Sequence, residues 1–242
     1  MAGLSSRFAR AGYRQPKYML PLAGRPMLDW SILSFAADLE RASVLFIYRD
    51  VDDTAEFVRT RAEACGVARP VFVQLDEPTA GQAQTVALGL ERAAVDGATP
   101  LTIFNIDTLR PGLREVRLDG PAGLLEVIQA QGDHWSFVLP DPVRPGVALR
   151  VTEKERVSDL CCTGLYAFRM AAEFRKAFAR SRPTAGELFV APLFNDAIAD
   201  GAEVRYVIAP SDKVFFAGTP AEYEQSCRGS AAITESYACE SA

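Results

Sequence analysis

Apolar and polar positions fall into alternating blocks along the first half of the chain. Leu28, Ile32, Leu33, Phe35 and Ala36 recur at helical spacing and predict a helix over 26–38. Ser43 to Tyr48 is a continuous apolar run, short enough for a buried strand. Asp52, Asp53 and Thr54 offer N-caps for a helix reaching about Cys65, and Val71 to Val73 reads as the next strand. An Ala- and Leu-rich helix over 82–95 precedes a buried strand over 101–104. Strands alternating with helices of this length predict an α/β protein with a three-layer, mixed but mainly parallel sheet.

The second half is denser in strands, at 124–129, 135–139, 148–152 and 163–168. A helix follows over 171–180, and the run from Thr184 to Glu187 introduces another to about residue 200. Late strands at 204–208 and 214–216 and a short helix over 221–227 close the pattern, while the small, polar residues 231–242 are expected to fray. No internal repeat or dividing linker interrupts the chain, so one domain is expected over 1–230.

Composition narrows the partners. The chain has 242 residues, 49% of them hydrophobic and 24% charged, with a formal net charge of −5. The negative balance, with no Lys/Arg run, argues against nucleic acid and anionic membranes as partners. No apolar stretch approaches the roughly 20 residues of a membrane span, and nothing resembles a signal peptide. Five cysteines with no CxxC pair suit a reducing cytoplasm. Adjacent Cys161 and Cys162 alternate across a strand, which favours buried free thiols. The single histidine, His134, disfavours histidine-dependent catalysis.

The chemistry concentrates at the start. Ala2-Gly3-Leu4-Ser5-Ser6-Arg7 is a small-residue loop ending in a cation, Lys17 follows between prolines, and Gly24-Arg25-Pro26 leads into the first long helix. Small residues let backbone N–H groups approach phosphate oxygens, and two cations can neutralise charge developing at phosphorus. Asp107 stands just past the strand 101–104, at the carboxyl end where open α/β sheets bind ligands, and a carboxylate facing phosphates suits Mg²⁺. Read one at a time, each of these also fits a simple turn.

The order and spacing of the whole string resemble the signature of sugar-phosphate nucleotidylyltransferases, and the resemblance extends over residues 1 to about 225. It implies a Rossmann-like, GT-A-like fold and a transfer in which Arg7, Lys17 and Asp107 are catalytic, with Asp107 also the metal ligand for Mg²⁺. Ala2, Gly3, Ser5 and Ser6 are implied to cradle the nucleotide phosphates. Gly81 and Gln82, within Glu77-Pro78-Thr79-Ala80-Gly81-Gln82-Ala83-Gln84, are implied to meet the base. By the same resemblance Glu153, Lys154, Thr163 and Gly164 bind the acceptor, Glu153 through hydroxyls and Lys154 through phosphate. The run from Gly186-Glu187 to Asn195 is similar to a segment of the cytidylyl- and capsule-related branches, and Gly218-Thr219-Pro220 to the closing turn of the family.

Three departures stand out. Ser5 occupies the place of the usual second glycine. Phe216 stands where many members carry a second metal-binding Asp, which leaves Asp107 to hold the metal with phosphates and water, or Asp212 to reach in. The chain opens directly on the loop, so the first central strand is expected to be missing or truncated, with the start assigned at an internal methionine.

The leading expectation is therefore a cytoplasmic nucleotidyltransferase that moves an NMP from an NTP to a sugar 1-phosphate and releases pyrophosphate. Its partners are a nucleoside triphosphate and a phosphorylated small-molecule acceptor, and a homo-oligomer is compatible with it. A phosphate oxygen already ionised at neutral pH needs no general base, so the work lies in positioning and charge neutralisation. The alternatives are a CTP-dependent cytidylyltransferase acting on a small phosphorylated acceptor, as in surface or capsule polysaccharide synthesis, and a non-catalytic nucleotide-binding relative.

Overall fold

The computed structural model describes residues 1–3, 5–184 and 186–239, and residues 240–242 of the expected tail lie outside them. Two compact units form, one from 1–78, 105–115 and 212–242, the other from 79–104 and 116–211. The chain enters and leaves each unit more than once, so neither is a continuous stretch of sequence.

In the first unit, α1 (Ser6–Arg10) follows the opening loop, and the hairpin β1 (Pro21–Leu22) and β2 (Arg25–Pro26) leads into α2 (Met27–Leu33). The apolar run β3 (Ser43–Tyr48) is joined through α3 (Thr54–Ala64) to β4 (Arg69–Gln74), and the two strands pair parallel from Ser43↔Arg69 to Tyr48↔Gln74. The amine of Met1 donates to the Ile47 carbonyl of β3 at 2.7 Å. Val58 and Ala62 of α3 are buried with Phe46, Leu28 and Ile32, as the helical spacing of the last two anticipated.

In the second unit α4 (Gln82–Arg92) precedes β5 (Leu101–Phe104); in the first, β6 (Thr108–Leu109) follows. The second unit continues through β7 (Gly123–Gln129), β8 (Ser136–Pro140), β9 (Ala148–Glu153), β10 (Leu160–Phe168), α5 (Ala171–Arg180), α6 (Phe194–Ala199) and β11 (Val204–Ile208). Its sheet runs β11-β7-β10-β8-β9, with β5 also on β10. Every residue of β10 is buried, and its sequence is apolar apart from Thr163 and Gly164. β11 pairs parallel to β7, whereas β5, β7 and β8 pair antiparallel to β10. The α/β class expected from the sequence is found. The antiparallel share in this unit follows from β7, β8, β9 and β10 succeeding one another without a helix between them.

Two expectations are corrected. The helix expected from about Thr184 to 200 is helical only from Ala191, as a single tight turn and then α6. Upstream, Leu188 spends its backbone groups on Ala80 and Ala83, and Pro192 removes a donor. The closing residues do not fray as far as residue 239. After β12 (Phe215–Phe216) and α7 (Pro220–Arg228), they form α8 (Ser230–Cys239), with Ile233 and Tyr237 buried in the first unit's core beside Phe8, Trp30 and Tyr223. Tyr237 donates to the Trp30 carbonyl at 2.8 Å and stacks obliquely on the Trp30 ring, so the helix is anchored by side chains the tail's composition conceals. Cys161 and Cys162 are buried free thiols. Among the described residues, no helix is long and apolar enough to cross a membrane.

Candidate active site

In the first unit the chain brings together the three residues expected to do the chemistry. Lys17, in a tight turn after Pro16, pairs its ammonium with Asp107 Oδ2, the two side chains being 22% and 20% exposed. Burial works against ionisation of Asp107, but the Lys17 charge, its hydrogen bond and the Arg7 guanidinium outweigh it and hold the carboxyl below the ordinary aspartate value. Arg7 itself is exposed on α1.

The closing turn meets this pair. β12 and β6 pair antiparallel, with Phe216 opposite Thr108, and the Ala217 N–H donates to the Asp107 carbonyl at 2.9 Å. A Cβ added to Gly218 would stand 2.9 Å from Asp107 Oδ2, so a side chain there would have to displace that carboxylate. Thr219 and Glu222 then close a capping box on α7. Asp212 lies in an exposed tight turn. Among the described residues no group of three or more His, Cys, Asp or Glu could hold a metal. A single ionised, largely buried carboxylate nevertheless fits Mg²⁺, which takes one or two carboxylates plus substrate phosphates.

The opening loop shows what its departure from glycine costs. Ser5 adopts φ 47° and ψ 30°, the left-handed conformation that glycine takes without strain, and its carbonyl accepts from Phe8 and Ala9 N–H. Ala2 is buried, Gly3 and Ser6 are exposed, and Gly3 and Ser5 border a cavity of about 170 Å³ with Arg14, Gln15 and Arg49. A wider cavity of about 380 Å³, lined by Arg25, Trp30, Arg114 and Tyr237, contains none of the expected site residues.

In the second unit Gly81, at φ 142°, is packed directly on backbone: a Cβ there would lie 2.5 Å from the Leu188 carbonyl oxygen. Leu188 N–H donates to Ala80 O at 2.8 Å, and Leu188 O accepts from Ala83 N–H at 2.9 Å, satisfying one of the orphan donors of α4. Gln82 begins α4, and the Gln84 side chain accepts from the Ala80 N–H at 2.6 Å, so its carboxamide oxygen serves its own loop.

The residues expected to bind the acceptor divide into two places. Glu153 ends β9 and accepts from the Ser136 hydroxyl. Burial pushes its carboxyl above the ordinary glutamate value; Ser136 and Lys154 offset this in part, and the Glu187 charge adds to it. Lys154 follows in the left-handed region at φ 56°, its ammonium 3.8 Å from Glu187 and 4.8 Å above the Phe189 ring. Asn195 bonds both polar groups of Val151 at 2.9 and 2.7 Å, holding α6 to β9 two residues before Glu153. Thr163 and Gly164 fall where the β10–β7 register shifts, and the buried Thr163 hydroxyl donates to Glu126 Oε1 at 3.0 Å. Sequence reasoning missed Glu126, Ser136 and Phe189 and gave Glu187 no role. Glu126 left a signal as a charge inside the apolar run 124–128, and Glu187 and Phe189 lie in the run from Gly186 to Asn195 without a role read for either.

No family model and no curated protein matches the chain. The solved structure of a nucleoside-diphosphate-sugar pyrophosphorylase from Vibrio cholerae RC9 is similar at 41% identity and a TM-score of 0.87, over 94% of this chain and 98% of that one. The chain belongs to the sugar-phosphate nucleotidyltransferase family. Two more distant structures share the fold alone. One is the inositol-1-phosphate CTP transferase from T. maritima, at 13% identity and TM-score 0.74 over 97% and 92% of the two chains. The other is a UDP-glucose pyrophosphorylase complexed with UDP-glucose, at 12% identity and TM-score 0.70 over 94% of each.

Proposed function

We propose that this protein is a nucleotidyltransferase that moves an NMP from a nucleoside triphosphate to a sugar 1-phosphate and releases pyrophosphate. The observation that carries the reading is the Lys17–Asp107 pair under Gly218, with the charge of Arg7 acting on it, in a chain 41% identical to a nucleoside-diphosphate-sugar pyrophosphorylase. Pyrophosphorolysis of a nucleotide sugar, run in reverse, is this transfer.

The acceptor phosphate oxygen attacks the α-phosphorus while the bond to pyrophosphate breaks on the opposite side. Lys17 neutralises charge at the α-phosphate, and Arg7 stabilises the departing pyrophosphate. Asp107 would hold Mg²⁺, which when bound neutralises charge on the phosphates. The loop from Ala2 to Ser6 offers backbone N–H groups to the phosphates, and Gly81 and Gln82 meet the base. Glu153 takes acceptor hydroxyls and Lys154 the acceptor phosphate, with Thr163 and Gly164 shaping the same pocket. The protein acts in the cytoplasm.

A second reading, transfer of CMP from CTP to a small phosphorylated acceptor of surface-polysaccharide synthesis, is favoured by Phe216 and by the run from Gly186 to Asn195. Pyrophosphate release measured with Mg²⁺ across CTP, UTP, dTTP, GTP and ATP against sugar 1-phosphates and small alcohol phosphates separates the two. Release with a sugar 1-phosphate that disappears in Lys17→Ala is the expected result. Release only with CTP and a small alcohol phosphate selects the second reading, and nucleotide binding with no release overturns both.

A further inference from the structure

One short segment, Glu187 to Phe189, touches both sets of ligand residues in the second unit. On one side, Leu188 pairs its N–H and carbonyl with Ala80 and Ala83, the residues flanking Gly81 and Gln82. The contact is backbone on backbone: a Cβ on Gly81 would lie 2.5, 2.7 and 3.0 Å from the Leu188 O, N and C atoms. On the other side, the two neighbours of Leu188 flank one ammonium. Glu187 is 3.8 Å from Lys154 Nζ, and the Phe189 ring is 4.8 Å below it. Lys154 leaves the end of β9 in a left-handed conformation, so these contacts fix where its ammonium lies.

We propose that the segment Glu187–Phe189 couples nucleobase recognition at Gly81–Gln82 to acceptor-phosphate binding at Lys154, with Glu187 and Phe189 as positioning residues. The inference rests on the assignments of base and acceptor residues made under Proposed function. A base packed against Gly81 and Gln82 bears on the same backbone that carries the Glu187 carboxylate and the Phe189 ring. Glu187 competes with an incoming phosphate for Lys154, whereas the ring face keeps the ammonium in place without competing. Both charged groups are partly exposed, 38% and 56%, so solvent weakens their attraction and the coupling is modest, about fivefold.

A double-mutant cycle on the full chain reads the coupling. Gly81→Ala, which must displace Leu188, is expected to raise the acceptor KM about fivefold with a smaller change in kcat, in addition to raising the NTP KM. In an E187Q/F189L background the same Gly81→Ala step should change the acceptor KM less than about twofold. An equal rise in both backgrounds, or no rise in acceptor KM, overturns the coupling. Should Gly81→Ala fail to fold, reciprocity gives a second reading with an α,β-methylene NTP analogue. The acceptor should tighten analogue binding to the wild type about fivefold, and E187Q/F189L should lose that gain; retention of the gain overturns the proposal. A wild type that releases no pyrophosphate with any pairing overturns this inference together with the function. An active wild type with an additive cycle overturns the coupling alone.

Discussion

Each unit sets a carboxylate near a lysine, and the two carboxylates are driven in opposite directions. Asp107 is deeply placed, yet Lys17 and Arg7 hold its carboxyl below the ordinary value. Glu153 is half-buried, accepts from one hydroxyl, and sits within the field of a second carboxylate, Glu187, so burial prevails and its carboxyl is raised. Burial alone does not set charge at a site; the balance between burial and the facing charges and hydrogen bonds does. An ionised Asp107 suits a cation such as Mg²⁺, whereas a carboxyl raised by burial, beside a half-exposed lysine, suits hydroxyls.

The comparison breaks first at Lys17. Lys17→Ala should cost about 3–4 kcal/mol of transition-state stabilisation, read as a fall of about 10²–10³-fold in the rate of pyrophosphate release, by analogy with loss of one transition-state donor. Lys17→Arg should also be poor, because a planar fork does not replace a compact ammonium. Near-normal turnover in the alanine variant ends the role.

Next comes the pH dependence that separates the two carboxylates. A depressed Asp107 stabilises the fold above its unfolded pKa of 3.8 and loses this only as pH falls through its lower folded value. A raised Glu153 has the opposite sign: its contribution is complete below 4.5 and is lost as pH climbs through the higher folded value. Glu153→Gln should therefore raise the thermal midpoint at neutral pH. It should also raise acceptor KM roughly fivefold and remove the acid limb from the acceptor KM profile above pH 4.5. An acid limb unchanged in that variant assigns it to another group.

Ser5→Gly sharpens the comparison from the loop. Glycine relieves a left-handed serine, so stability should rise by about 1 kcal/mol and the midpoint by roughly 2–4 °C, with turnover kept. A fall in midpoint shows that Ser5 carries a compensating contact. The smallest effect is expected at Asp212→Asn. Mg²⁺ dependence of turnover should stay unchanged if Asp107 is the protein's metal ligand, and a collapse of Mg²⁺ affinity transfers that role to Asp212.

Much of the candidate site in the first unit was legible because its residues lie in one local string. The loop, Lys17 and the glycine before α2 fall within 28 residues, and Asp107 is marked by the apolar strand ahead of it. The second unit was less legible. Glu153-Lys154 stood out as a pair, but Glu187 and Phe189 are more than 30 residues away and meet Lys154 only because Leu188 joins the loop before α4. The same pairing undid the expected helix from Thr184, since a residue bonding across to another segment cannot also bond within a helical turn. The tail misled in a similar way: its small polar residues hide Ile233 and Tyr237, and only packing against Trp30 makes α8 worth ordering.

By itself the sequence determined the α/β class, the strand runs such as Ser43–Tyr48, and the candidate grip of Arg7, Lys17 and Asp107. These follow from local periodicity and from motifs whose spacing is set along the chain. Tertiary structure decided the directions in which the Asp107 and Glu153 carboxyls are shifted, the seat of Lys154 between Glu187 and Phe189, and the need for glycine at 81. Each of these depends on distances between residues far apart in the chain. Coulomb interaction, desolvation and steric exclusion act through those distances, whatever the order of the residues.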